Sequence, residues 1–297
     1  MKSVLKTSSH ALSNGKMILF IIISIAIFIL VAVVCNILTA EIPFSPAKIV
    51  IREIFLRMPL TLVLLHIYAK RFIKTYDPNI IYGKLTLLTF IKWVVIGLML
   101  SLGAWTICYL VNIIVPFKQT LSLTMQDKLF LIIRWTAISI AAGITEEVLF
   151  RGHLFMIIRE RCSKFRSMLL TSVIFGVVHI AMLNAVTPVD IVITVFGGIL
   201  SGTMFSFIYT YTRVIWTAAT VHIIWDIFFI GKITTTAITQ ADANNSLMAF
   251  KLTSHNLLLN GGNFGIEATL PCLLTYVTLS VILYMRGREL GIKTIET

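Results

Sequence analysis

Two adjacent carboxylates, Glu146 and Glu147, and a guanidinium, Arg151, occupy the stretch TEEVLFRG at 145–152, with strongly apolar sequence on either side. Ionisable groups at membrane depth are costly and mark functional sites. On a helix of 3.6 residues per turn, neighbouring side chains diverge by about 100°. The two acids therefore cannot both face one partner squarely. Glu147 and Arg151 stand at i, i+4 in the favourable acid-before-base order, which leaves Glu146 free to point elsewhere. A structural ion-pair cluster, or a helix end whose charges reach the interface, would also account for these three residues.

Two histidines extend the pattern. His179 ends FGVVH at 175–179, and His222 begins HIIWD at 222–226. At about 1.5 Å per residue, Glu146, His179 and His222 fall near a common depth in their apolar runs and can converge. His222 and Asp226 share a helix face, so the carboxylate either orients the imidazole or joins it around a common ligand.

The elements carrying these groups must be membrane helices. Of the 297 residues, 58% are hydrophobic and 13% charged, against about 25% charged in soluble proteins. Runs of roughly 20 apolar residues cross a hydrocarbon core of about 30 Å, and lipid leaves bundled helices as the backbone solution here. The expected fold is an all-α polytopic transmembrane bundle of about eight spans: 17–40, 53–69, 88–115, 129–158, 167–186, 188–210, 214–231 and 268–285. The first is too long for a signal-peptide core and is read as retained.

A net charge of +12 would suggest nucleic acid in a soluble chain. Here the basic residues flank the apolar runs and fall mainly on one side of the span map, which indicates both termini in the cytoplasm and a cell-membrane protein with no nucleic-acid partner. Lys2, Lys6, Lys74 and Lys293 count on the inner side, Lys232 on the outer. The four cysteines form no CxxC pair and suggest neither a disulfide framework nor a thiolate metal site. The segment 234–265 is the longest polar stretch, with QADANNS and NGGN read as turns or disorder outside the membrane.

Other residues have blander readings. His153 reads as an interfacial bystander, and His10, His66 and His255 as incidental. Arg57, Lys92 and Arg134 snorkel or pair within the bundle. Gly197, Gly198 and Gly202 serve close helix packing, the last two as a small-xxx-small pair.

Glu146-Glu147-x-x-x-Arg151, Phe175-x-x-x-His179 and His222-x-x-x-Asp226, in that order on successive or near-successive helices, resemble the CAAX protease and bacteriocin-processing (Abi) family of intramembrane metalloproteases. The resemblance divides the chain into N-terminal helices 1–128, a core 129–231, and an outer loop with a final helix, 232–297. It implies a membrane-embedded peptidase, with the lipid bilayer as its setting and a membrane-associated peptide or protein as substrate, approached from lipid or the cytoplasmic interface. By that resemblance Glu146 is the base that activates water, His179 binds or polarises the same water, His222 and Asp226 complete the site, and Glu147 with Arg151 supports it. One common form of the third motif ends in Asn, whose amide donates a hydrogen bond to an oxyanion; an ionised Asp cannot. Asp226 therefore leaves open a metal role, with His179, His222 and Asp226 as ligands of Zn²⁺ or another divalent ion. The rival readings are a non-catalytic immunity or scaffold protein and a transporter or proton relay using the same residues.

Overall fold

A computed structural model describes residues 12–73, 76–183, 186–231, 233–236 and 239–291. Lys2, Lys6, His10, Lys74, Lys232 and Lys293 lie outside the described residues. Side-chain caps start most of the long helices. Ser13 accepts from the Lys16 amide at the head of α1 (Asn14–Leu38). Ser45 does the same for α2 (Pro46–Val50), which continues through a π-helical segment, Ile51–Arg57, into α3 (Met58–Phe72). After the short α4 (Pro78–Tyr82), Thr86 caps α5 (Leu87–Leu110).

A capping box, in which Thr124 and Asp127 each accept from the other's backbone, opens α6 (Met125–Glu147). Such reciprocal pairing satisfies two amides that the first turn would leave orphaned. A second π-helical segment, Val148–Leu154, joins α6 to α7 (Phe155–Arg159) in one 35-residue span. Ser163 caps α8 (Lys164–Val178), which ends in a 3₁₀ turn, His179–Met182. Then follow α9 (Pro188–Thr212), closed by Arg213 at φ 56°, and α10 (Ile215–Phe229).

Among the described residues, six helical spans are long and apolar enough to cross a membrane, including α1, α5 and α9. The other two of the eight expected spans are helical but differ in kind. The second carries Arg52, Glu53 and Arg57 along 46–72, and the seventh, α10, has only 15 residues. On α1, Ile22, Ile29, Leu30 and Ile37 are exposed, as lipid-facing residues are.

The third span stops at Leu110, and Asn112 at φ 55° turns the chain into β1 (Ile114–Pro116). With β2 (Thr234–Thr236) and β3 (Met248–Leu252), β1 forms a small sheet of order β1-β3-β2. The β1 strand runs antiparallel to β3 with Ile114 opposite Leu252, and β2 runs parallel with Thr235 opposite Ala249. QADANNS, expected as turn or disorder, contains α11 (Gln240–Asn244), held by its own Thr239–Asp242 capping box. Further on, α12 (Leu257–Asn260) and two 3₁₀ turns, Gly262–Phe264 and Ile266–Ala268, lead into α13 (Leu270–Glu289).

In the interior, α10 packs against α5, α6 and α9, and α9 also packs against α8 and α13. The α8–α9 seam depends on glycine: a Cβ on Gly198 would land on the backbone of Gly176. One buried core runs through the bundle from Leu65 to Leu283.

Candidate active site

The paired acids sit at the junction where α6 passes into its π-helical segment, a distortion common at functional sites. Glu147 is fully buried, and its Oε1 accepts from Arg151 Nη1 at 2.8 Å and from His222 Nδ1 at 2.8 Å. Arg151 Nη2 donates to the Gly202 carbonyl at 2.8 Å. The guanidinium also lies over the rings of Phe175 and Phe205, at 4.6 and 5.3 Å. Arg151 is therefore held by one carboxylate, one carbonyl and aromatic faces, a set suited to a guanidinium rather than an ammonium.

Because Nδ1 of His222 donates to Glu147, its Nε2 faces the other way, 3.9 Å from Glu146 Oε2 and 3.5 Å from Asp226 Oδ1. The two adjacent acids thus reach one imidazole from opposite sides, one hydrogen-bonded and one not. Phe205 stacks on this imidazole at 4.5 Å and 16°, which fixes the ring plane. Glu147, rather than Asp226, makes the hydrogen bond that orients it. His179 donates from Nδ1 to the Phe175 carbonyl at 2.6 Å, and this assigns its lone pair to Nε2.

Glu146, His179, His222 and Asp226 line one cavity of about 260 Å³, with Phe205, Trp225 and Tyr276 among its walls. Glu147 and Arg151 stand behind that surface. Glu146 Oε2 makes no hydrogen bond, whereas Glu147 Oε1 makes two. Glu147 Oε2 is likewise without a hydrogen bond, so the two acids differ by place: Glu146 lines the cavity, and Glu147 is held behind it by Arg151 and His222.

The expected ligands His179, His222 and Asp226 do not close around one point. Among the described residues, no three His, Cys, Asp or Glu side chains form a group that could hold a metal ion. His222 and Asp226 approach as a pair only. The donor set does not fit a Zn²⁺ site in this arrangement.

Several site residues carry no motif spacing. Phe205 and Trp225 are aromatic residues in apolar helices, indistinguishable in sequence from ordinary core. Glu267 comes from the turn before α13. Its Oε1 accepts from Trp225 Nε1 at 2.9 Å, its carbonyl accepts from Tyr276 Oη at 3.3 Å, and its carboxyl lines the cavity. Burial pushes that carboxyl up to about 7. The only sequence signal for it is a lone acid between NGGN and the last apolar run. The preceding turn, Gly262–Phe264, is anchored by Asn263, whose amide and side chain donate to Asp190 at 2.9 and 2.7 Å.

Residues expected to be incidental also find definite places. His153 is fully buried, edge-on to Tyr76, while His66 Nδ1 bonds Tyr76 Oη at 2.8 Å. His255 and Lys92 are exposed. Arg57 pairs with the buried Glu53 at 3.1 Å, and Arg134 stacks on Phe44 and Trp135. Gly202 contributes both close packing against Ser172 and the carbonyl that Arg151 uses.

No curated protein sequence and no solved structure matches the chain. Residues 128–228, a stretch that contains all three motifs, match the family described as type II CAAX prenyl endopeptidase Rce1-like, the CAAX protease family that those motifs resemble.

Proposed function

We propose that the chain is an intramembrane endopeptidase in which Glu146 activates water for attack on a peptide carbonyl. The observation that carries this reading is the division between the acids: Glu147 is bonded to Arg151 and His222 at 2.8 Å each and stands off the cavity, while Glu146 lines it.

In the proposed sequence, Glu146 removes a proton from water as its oxygen bonds to the carbonyl carbon. His179 Nε2 accepts the second hydrogen of that water and orients it. The His222 imidazolium donates from Nε2 to the developing oxyanion, and Glu147 stabilises that cation through Nδ1–H. Fixed donors of this kind, aimed where charge develops, act strongly in a site shielded from water. Collapse of the tetrahedral intermediate breaks the C–N bond, and Glu146 returns its proton to the departing amine. The products are a carboxylic acid and an amine, with one water consumed and Glu146 restored as a carboxylate.

Glu146→Gln keeps the shape but cannot take the proton. Cleavage of a peptide library by the purified variant should fall by about 10²-fold or more, with membrane insertion and folded yield unchanged. Turnover near that of the wild type would sink the assignment.

A further inference from the structure

The cavity has a direction. On α6 it is lined by Ile138, Ser139, Ala142 and Glu146, and on α10 by His222, Trp225, Asp226 and Phe229. From Glu146 back to Ile138, and from His222 on to Ile230, the lining advances eight residues on each helix, about 12 Å at 1.5 Å per residue. Both advances lead away from the 159–166 connection and toward the turns at 179–183 and 262–268. The buried end is marked by Phe205 and His222, at 2% and 4% exposure, and the other end by Met182 at 58%.

The connections at the two ends differ in charge. Arg159, Arg161, Lys164 and Arg166 crowd the 159–166 connection, while residues 179–188, HIAMLNAVTP, contain no Lys or Arg. Short connections rich in Lys and Arg stay in the cytoplasm. Lys70 and Arg71 at the end of α3, and Arg286 and Arg288 at the end of α13, fall on the same side as the basic connection when the spans alternate.

We propose that the mouth of this cavity opens on the extracytoplasmic face, so that its substrate is a polypeptide segment presented from outside the cytoplasm. The sequence suggested approach from lipid or the cytoplasmic interface; this reading sets the cytoplasmic route aside. The cavity is chemically suited to an extended, mainly apolar segment, with Met182, Leu183 and Phe264 among its lining residues. What the cavity does rests on the peptidase reading; where it opens does not.

The chain contains a built-in reporter for the opposite face. Cys162 lies in the basic connection and is partly exposed, whereas Cys35, Cys108 and Cys272 are buried. In sealed right-side-out membrane vesicles, a membrane-impermeant maleimide should label Met182→Cys before permeabilisation and Cys162 only afterwards. The two sites are read separately by comparing the parent chain with Met182→Cys carrying Cys162→Ser. Labelling of Cys162 before permeabilisation, or failure to label Met182→Cys until afterwards, overturns the proposal. The readout needs no turnover: a chain labelled from outside but inactive on every peptide would leave the outward mouth standing and remove the peptidase reading.

Discussion

Oε1 of Glu147 joins three elements: Arg151 from its own span, through Arg151 the Gly202 carbonyl of α9, and His222 of α10. Removing one member of a buried charged group strands the rest in low dielectric, at a cost of about 3–5 kcal/mol. Arg151→Ala should therefore lower the yield of folded, detergent-soluble protein as well as activity, measured by size-exclusion profile beside cleavage rate. A stable but inactive variant would instead bring Arg151 into direct contact with substrate. Asp226 poses a different question. Its Oδ1 lies 3.5 Å from His222 Nε2, where an amide could donate to an oxyanion. Asp226→Asn should retain or raise the cleavage rate, and cleavage should survive exhaustive chelation. Loss of activity in both experiments, with one metal per chain in active protein, would replace this mechanism with a metal-dependent one.

At the scale of elements, the positions of His179 and Arg151 depend on how closely α8 and α9 approach. Gly176 and Gly198 meet backbone to backbone, and Gly202 leaves room beside Ser172 and Arg151. A methyl at Gly198 has no space without separating the helices. Overpacking of this kind costs about 1–3 kcal/mol, so Gly198→Ala should lower thermal stability in detergent and reduce turnover together. An unchanged melting profile would show that the seam yields freely. The glycine spacing marked Gly198 and Gly202 for close packing but not Gly176, the residue Gly198 meets, whereas the i, i+4 spacing made Glu147–Arg151 legible in full. What spacing could not reveal was rotation about side-chain bonds: Glu146 and Glu147 diverge on the helix, yet they flank opposite nitrogens of His222. Nor could it distinguish Phe205 from any other apolar residue before α10 was in place beside it.

Across the whole molecule, the apolar runs foretold a helical bundle because length and hydrophobicity alone govern what can lie in lipid. They misjudged the parts where protein replaces lipid as the surroundings. The α10 helix needs only 15 residues because α5, α6 and α9 enclose it. The polar segment that follows is ordered by contacts distant in sequence: β3 on β1, Asn263 on Asp190, and Gln119 donating to the Ala243 carbonyl at 2.8 Å. Such pairings leave no periodic trace. Glu267 was missed for the same reason, since its approach to Trp225 exists only after the turn before α13 docks.

The order in which the chain is made gives the Glu147–Arg151 pair another consequence. Synthesis proceeds from the N-terminus, so α6 leaves the ribosome before the Gly202 carbonyl and the His222 imidazole exist. A nascent span bearing isolated charges would face the full expense of entering hydrocarbon. With acid and base one turn apart on the same helix, joined at 2.8 Å, the segment carries its own counterion into the bilayer and requires no later helix to neutralise it. The biosynthetic intermediate is thereby freed from waiting for the rest of the site, and the imidazole that arrives with α10 meets a carboxylate already held in place.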